Sequence, residues 1–222
     1  MKKIYVLLVF VFILGFVGNP KASGQIGCEV CQAPYLCTTI MLDLICAGRV
    51  EVVLCYRCYS PNSIYWQVLE IRYLDIPYSN LTPTCEDYVW DNIRYYVLNH
   101  LQELCGYVDC AFDKTTIEFT VPLCGEMEFG PIPTNPNNMW VRKKAHPGGC
   151  DLRCKETWEV CWDSNLGKFR CRLISSQIYG GGSCLGPYPL KNLVWPIEYT
   201  HYDCIQLWLS LNCPPNPQCP FN

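Results

Sequence analysis

The chain carries eighteen cysteines, and all of them follow an N-terminal leader, residues 1–24. Two lysines near its start, an apolar run from Val6 to Val17 and small residues ahead of Gln25 are the pattern of a secretory signal peptide cleaved before Gln25. The apolar run is shorter than the roughly 20 residues that a spanning helix needs. We therefore expect a secreted protein with no membrane span in its mature chain.

Removing residues 1–24 from the 222-residue chain leaves 198 residues that hold all eighteen cysteines. Cysteine is then about 9% of the mature chain, a level that indicates a disulfide scaffold. The even number allows every cysteine to pair, whereas lipidation of Cys28 would leave one unpaired. Disulfides at this density predict an oxidising location, which is the extracellular space, the cell surface or the periplasm.

The charge of the mature chain argues against strongly anionic partners. After the leader is removed, 14 basic and 20 acidic residues remain, and no basic stripe suited to nucleic acid or anionic lipid is present. The one basic cluster, Arg142-Lys143-Lys144 with His146, lies in a segment rich in proline, asparagine and glycine. We interpret this cluster as a solvated loop.

That segment, residues 131–149, has a composition that disfavours both helix and strand, so we predict a linker there. It would separate an α+β disulfide-stabilised lobe, residues 25–130, from a cysteine-rich β-rich lobe, residues 150–222, which ends in a proline-rich tail. The lobes hold ten and eight cysteines, so each is able to close its own bridges. A Cys213–Cys219 bridge is predicted to pin the tail.

Periodicity predicts the elements of the first lobe. Three segments have the β-branched or alternating apolar pattern of strands: Arg49–Cys55, Leu69–Tyr73 and Ile117–Val121. Apolar residues recur at helical spacing between Cys85 and Cys105, with Thr84 as a candidate N-cap and Gly106 at the C′ position. The lobe is therefore predicted to be β-β-α-β.

The second lobe is predicted to be irregular and rich in strands. Trp158, Val160 and Trp162 alternate with polar residues, Phe169–Leu173 alternates likewise, and the turn between them suits a hairpin. The predicted fold class is α+β, a disulfide-rich secreted protein in which a small β-β-α-β lobe precedes an irregular β-rich lobe.

Two Cys-x-x-Cys pairs, Cys28/Cys31 and Cys55/Cys58, have three interpretations. Together they match the ligand number of a four-thiolate zinc site, and either pair alone matches a thiol–disulfide exchange centre. In an oxidising compartment, structural disulfides are the simplest interpretation. We therefore expect no metal and no cofactor.

Candidate catalytic residues are few. Among the three histidines only His201 has a neighbouring carboxylate, Asp203, and no Gly-x-Ser-x-Gly motif accompanies it. Glu126 and Glu128 would share one side of an extended segment, where we interpret them as a solvated edge. The alternative function that follows is an exported enzyme, either a hydrolase using scattered acids with His201 or a thiol–disulfide oxidoreductase using one Cys-x-x-Cys pair.

The aromatic content points to recognition instead. The chain has 15 tyrosines and 7 tryptophans, residues that give binding surfaces a large contact area at a small entropy cost. On a solvent-facing strand, Trp158 and Trp162 would form a binding platform. The sequence thus favours a non-enzymatic structural or interaction protein that binds a protein or glycan partner or self-associates.

Overall fold

The computed structural model describes residues 28, 31–60, 62–106, 108–145, 150–182, 188–192, 197–208, 213 and 219. The leader, residues 1–24, lies outside them, so its cleavage stays a prediction. The strands are β1 (Leu36–Leu44), β2 (Gly48–Ser60), β3 (Ser63–Pro77), β4 (Thr115–Pro122), β5 (Cys124–Ile132), β6 (Asn135–Ala145), β7 (Arg153–Asp163), β8 (Lys168–Tyr179) and β9 (Thr200–Gln206). The helices are α1 (Pro83–Asn99) and α2 (Leu101–Leu104). The protein is mostly β-sheet with one long helix, consistent with the predicted α+β class.

All these strands belong to one mixed sheet centred on β3. One edge of β3 pairs antiparallel with β2, and β1 lies beyond β2. The other edge is shared, because β4 pairs in parallel with residues 63–67 and β6 pairs antiparallel with residues 70–77. β7 and β8 continue the sheet beyond β4, and β5 and β9 continue it beyond β6. The sheet therefore forks at β3.

A β-bulge at Leu69 sets which residues of β3 face the core. In the register with β2, Leu69 is an extra residue between two paired ones. Trp66 belongs to the hydrophobic core before the bulge and Ile71 belongs to it after the bulge. Glu70 and Arg72 consequently lie on the opposite side. We call the side that α1 covers the helix face and the opposite side the outer face.

Helix α1 begins one residue after Thr82, whose side-chain oxygen accepts a hydrogen bond from the Cys85 amide at 3.3 Å. The prediction of Thr84 as N-cap was wrong, because Pro83 suits the first helical position and moves the cap to the residue before it. The predicted apolar stripe is buried in the core. Gly106 follows α2 with φ of +78°, which confirms the predicted C′ glycine.

The three strands predicted for the first lobe lie in β2, β3 and β4, and the predicted hairpin is β7–β8. The prediction that residues 131–149 avoid regular structure was wrong, because β6 (Asn135–Ala145) occupies most of them. Pairing with β3 and β5 satisfies the backbone of β6 on both sides. The division of the chain into two lobes stays a prediction.

Arg142-Lys143-Lys144 lies in β6, so the interpretation as a solvated loop was also wrong. Successive residues of a strand point to opposite faces. Lys143 is therefore buried on the helix face, while Arg142 and Lys144 lie on the outer face. His146 lies outside the described residues.

Eight disulfides have both cysteines described. They are Cys28–Cys37, Cys31–Cys55, Cys46–Cys85, Cys58–Cys105, Cys110–Cys161, Cys124–Cys150, Cys154–Cys213 and Cys171–Cys219. Cys204 is also disulfide-bonded. These bridges indicate an oxidising, extracellular environment. Within the described ranges, no helix is both long and apolar enough to span a membrane.

The connectivity corrects one prediction and decides one possibility that the even cysteine counts left open. Cys213 and Cys219 bond to Cys154 and Cys171 and not to each other, so the tail is tied to β7 and β8. The bridges also cross residues 131–149, at Cys110–Cys161 and Cys124–Cys150, so the lobes do not each close their own bridges. Even cysteine counts permit independent closure but do not determine it.

Two buried ion pairs connect α1 to the helix face. Lys143 on β6 contacts the Glu86 carboxylate at 2.7 Å. Arg94 makes two bonds to Glu156 on β7, at 2.6 and 2.8 Å. Burial lowers the pKa of Lys143, and the adjacent Glu86 carboxylate opposes that shift. Because each pair joins the helix to a different strand, together they fix how α1 lies across the sheet.

Candidate functional site

A row of charged residues crosses five strands on the outer face. Cross-strand pairing aligns them in the order Glu51, Arg72, Arg142, Glu128 and His201. The Arg72 guanidinium contacts Glu51 at 2.9 Å, and the Arg142 guanidinium contacts Glu128 at 3.4 Å. Opposite charges thus alternate with one exception, the neighbouring arginines of β3 and β6.

Glu70 resolves that exception. Its side chain is only 1% exposed, and it accepts hydrogen bonds from both Arg72 and Arg142, the latter at 2.5 Å. Burial raises the pKa of Glu70, but the bonds from Arg142 and Arg72 outweigh burial and leave the pKa below its ordinary value of 4.5. The carboxylate therefore stays ionised and holds the two guanidinium groups side by side.

His201 closes the row on β9, between two carboxylates. Its Nδ1 lies 3.1 Å from Glu128 and its Nε2 lies 2.6 Å from Asp203. The bond to Asp203 is the main cause that raises the pKa of His201 above its ordinary value of 6.5. This favours the imidazolium, which donates from both nitrogens. The sequence predicted Asp203 as a partner, and the structure adds Glu128.

An aromatic pair, the half-buried Trp140 and the exposed Tyr199, lies beside this row. The Trp140 and Tyr199 rings have centroids 6.0 Å apart with an angle of 33° between their planes, and Tyr199 is 63% exposed. Gly130 pairs with Trp140 across β5 and β6. A Cβ atom at Gly130 would lie 2.9 Å from Trp140 Nε1, so only glycine allows the indole to lie against β5 in this position.

We call this surface the outer patch. Its members lie on β5, β6 and β9 or just before β9: Glu128, Trp140, Arg142, Tyr199, His201 and Asp203. Sheet pairing holds all of them on one side of three adjacent strands. The patch offers two aromatic faces together with carboxylates, a guanidinium and an imidazole, which are hydrogen-bonding groups of both polarities.

The tryptophans predicted as a binding platform lie elsewhere. Trp158 is 2% exposed in the core, and its indole donates a hydrogen bond to Glu156 at 3.1 Å. Trp162 is half-buried and packs edge-on against Phe169, with ring centroids 5.0 Å apart. They do not form an exposed platform, because alternation buries Trp158 on the helix face. A binding role for the pair stays a prediction, and it would have to come from Trp162.

Glu126 and Glu128 share the outer face, as predicted for an extended segment. They lie inside the sheet on β5, between β6 and β9, and contact Lys144 at 3.6 Å and Arg142 at 3.4 Å. They are therefore half-buried members of ion pairs and not a solvated edge.

Trp140, Arg142 and Tyr199 were missed by the sequence analysis. The signal for two of them was present in β6, where Trp140 and Arg142 alternate with the buried Met139 and Val141. The asparagines and proline before this run concealed it. Tyr199 has no local signal, because its position beside Trp140 comes from the pairing of β5 with β9.

Each cysteine of the two Cys-x-x-Cys pairs is bonded to a cysteine outside its own pair. Among the described residues, no group of three or more His, Cys, Asp or Glu side chains is placed to hold a metal ion. In comparisons of the chain with known proteins, no family model, curated protein or solved structure matches.

Proposed function

We propose that this protein is a secreted, disulfide-stabilised binding protein that recognises a glycan through the outer patch. The observation that carries the proposal is the pair formed by the half-buried Trp140 and the exposed Tyr199, beside the charged row of Arg142, Glu128 and His201. A dense set of disulfides suits a binding surface that has to persist outside the cell.

A sugar ring has an apolar side made of C–H groups and a rim of hydroxyls. The apolar side packs on aromatic rings such as those of Trp140 and Tyr199. The hydroxyls donate to free lone pairs of Glu128 and Asp203 and accept from the N–H groups of Arg142 that its ion pairs leave unused. His201 uses both of its N–H groups to hold Glu128 and Asp203 in place. Because strand pairing already orders these side chains, binding costs little additional entropy.

The charge of the outer patch favours a neutral glycan. Arg142 and the protonated His201 are balanced by Glu128 and Asp203, so the patch has no field of one sign. A densely sulfated chain needs clustered cations, whereas neutral hydroxyls are served by mixed donors and acceptors. Two other ligands would use the same patch, namely a protein partner and a second copy of the chain. With either of these as the true ligand, the protein would bind no glycan on an array.

The alternative of an exported hydrolase rests on His201 between Glu128 and Asp203. The raised pKa of His201 opposes a general-base role, because the ring keeps its proton to higher pH. If the protein were a hydrolase that uses His201, the His201→Gln variant would lose the hydrolytic activity of wild type. The thiol–disulfide alternative would need a free thiol, and all four cysteines of the Cys-x-x-Cys pairs are in bridges.

The experiment is a glycan array probed with wild type and with a Trp140→Ala/Tyr199→Ala double variant. Tyr95→Ala is the matched control, since Tyr95 is an exposed tyrosine of α1, far in sequence from the outer patch. We expect wild type and Tyr95→Ala to bind the same neutral glycans and the double variant to lose them. No saturable binding by wild type, or equal binding by the double variant, would overturn the proposal.

A further inference from the structure

A cavity of about 240 Å³ opens on the outer face where the sheet forks, separate from the Trp140–Tyr199 pair. Its described lining comes from the segment before β1 and from five strands or their ends: Gln32, Tyr35, Cys55, Gln67, Leu69, Pro122, Lys144, Ala145, Cys150 and Arg153. No residue of the outer patch is among these, so the cavity is a second feature of the same face.

The topology explains why a cavity forms here. β3 pairs with β4 up to Gln67 and with β6 from Glu70 onward, so the two neighbours separate beside Leu69. Pro122 ends β4 at the same point and has no N–H to continue the pairing. In open α/β sheets, ligands bind in the crevice where neighbouring strands diverge, and the fork beside Leu69 makes a comparable crevice in this mixed sheet.

Two disulfides fix the walls. Cys55 is bonded to Cys31, which ties the segment before β1 to β2. Cys150 is bonded to Cys124, which ties the start of β5 to the chain that enters β7. A cavity between strands that are cross-linked on both sides keeps its shape without a ligand, so little ordering cost opposes binding.

The described lining of the cavity combines two cationic side chains with several apolar residues. Lys144 and Arg153 are its charged residues, and no carboxylate accompanies them in that part of the lining. Among the described residues, Lys144 contacts Glu126 at 3.6 Å and Arg153 contacts Asp151 at 2.7 Å, and neither carboxylate lines the cavity. An ammonium has three N–H donors and a guanidinium has five, so these contacts leave donors for a ligand.

We propose that this cavity binds a small organic carboxylate. Lys144 and Arg153 would hold the carboxylate through charge-assisted hydrogen bonds, while Leu69, Pro122 and Ala145 pack against the body of the ligand. These apolar residues favour an organic acid over an inorganic anion. The volume, slightly below the usual range for drug-sized ligands, limits the body to about one ring.

A second depression provides a contrast. It has a volume of about 550 Å³ beside the Cys46–Cys85 bridge, and its described lining contains no charged side chain. The two sites therefore differ in charge. A carboxylate should bind more tightly in the cavity where the sheet forks, which has two cations in its described lining, than in the larger depression.

The test is an NMR titration of ¹⁵N-labelled protein with benzoate, and with benzamide as the uncharged probe of the same shape. We expect benzoate to shift the amides of Gln67, Leu69, Lys144 and Arg153 saturably and benzamide to bind at least about tenfold more weakly. Lys144→Met and Arg153→Met should each weaken benzoate binding by about tenfold.

Lys155→Met is the matched control, because Lys155 lies two residues from Arg153 on the same strand and pairs with Glu118 at 2.8 Å outside the cavity. Lys155→Met should bind benzoate as wild type does. The Trp140→Ala/Tyr199→Ala double variant should also bind benzoate normally, because the cavity and the outer patch share no residue. Equal affinity for benzoate and benzamide, shifts away from the cavity, or unchanged binding in both Met variants would overturn the proposal.

Discussion

Adjacent residues of β6 are charged on both faces of the sheet, in opposite surroundings. Lys143 lies on the helix face, buried, with its ammonium 2.7 Å from Glu86. Arg142 lies on the outer face, one third exposed, and divides its donors between Glu70 and Glu128. The helix face uses its charges to hold α1 in place, whereas the outer face presents them to solvent beside the half-buried Trp140 and the exposed Tyr199.

The difference lies in what happens when a partner is lost. On the helix face the remaining charge stays buried and unpaired, which costs several kcal/mol. On the outer face the remaining charge turns to another neighbour or to water. Substitutions should therefore become less costly from the helix face to the edge of the outer patch, and four variants test this order.

Lys143→Met should be the most destabilising. It leaves the Glu86 carboxylate buried without its cation, so we expect a loss of about 3–5 kcal/mol in the free energy of unfolding. Chemical denaturation with the disulfides intact measures it. Lys143→Met/Glu86→Gln should recover most of the loss, because the introduced amide is uncharged and its oxygen can still accept the hydrogen bond that Tyr188 donates to Glu86. A double variant no more stable than the single one would contradict the prediction.

Glu70→Gln should cost about 1–3 kcal/mol, because Arg72 and Arg142 lose a shared carboxylate. Since the pKa of Glu70 is lowered in the folded state, its contribution is present above pH 4.5 and is lost as pH falls through the folded-state pKa. Unfolding free energies measured above and well below pH 4.5 check this. The free energy of unfolding that is lost on acidification should be smaller in Glu70→Gln than in wild type. Equal losses in the two proteins would contradict the stabilising role given to ionised Glu70.

Gly130→Val should cost about 1 kcal/mol, the low end of the range for overpacking a buried position. The new Cβ would meet the Trp140 indole, a side chain able to move, so the aromatic pair is displaced while the fold remains. Affinity for a glycan selected on the array should fall about tenfold. Gly181→Val is the control, because a Cβ at Gly181 meets open space. Unchanged affinity in Gly130→Val would remove Trp140 from the site.

Asp203→Asn should have the smallest effect on stability, at an exposed position on β9. The pKa of His201 should fall toward 6.5, because the bond to Asp203 is the main cause of its rise. In wild type, the pairing of protonated His201 contributes fully below pH 6.5 and is lost as pH rises through the raised pKa. NMR titration of the His201 ring measures the shift. A His201 pKa that is the same in Asp203→Asn as in wild type would show that the bond to Asp203 is not its main cause.

Local periodicity predicted the elements whose signal lies within their own sequence. The β-branched run Arg49–Cys55 and the alternation Ile117–Val121 became β2 and β4, and the apolar stripe between Cys85 and Cys105 became α1 and α2. β6 was missed because one proline and three asparagines near its start lower its local strand propensity, while pairing on both sides stabilises it. Propensity is overridden where two neighbours supply the hydrogen bonds.

The candidate site was predictable only in part, for a related reason. Asp203 is close to His201 in sequence, so the pair was found, whereas Glu128 reaches His201 through pairing between β5 and β9. Alternation marked Trp158 as lying on one face of a strand but does not reveal which face a helix covers. Disulfide connectivity is likewise set by the fold and not by spacing.

Recognition by the outer patch is tested most directly by NMR mapping of the backbone amides that a glycan selected on the array perturbs in the wild-type protein. We predict shifts concentrated at residues 128–130, 140–142 and 199–203, on β5, β6 and β9 and just before β9. Shifts confined to α1, or to the surroundings of Trp162 on β7, would contradict the assignment of the outer face as the binding surface.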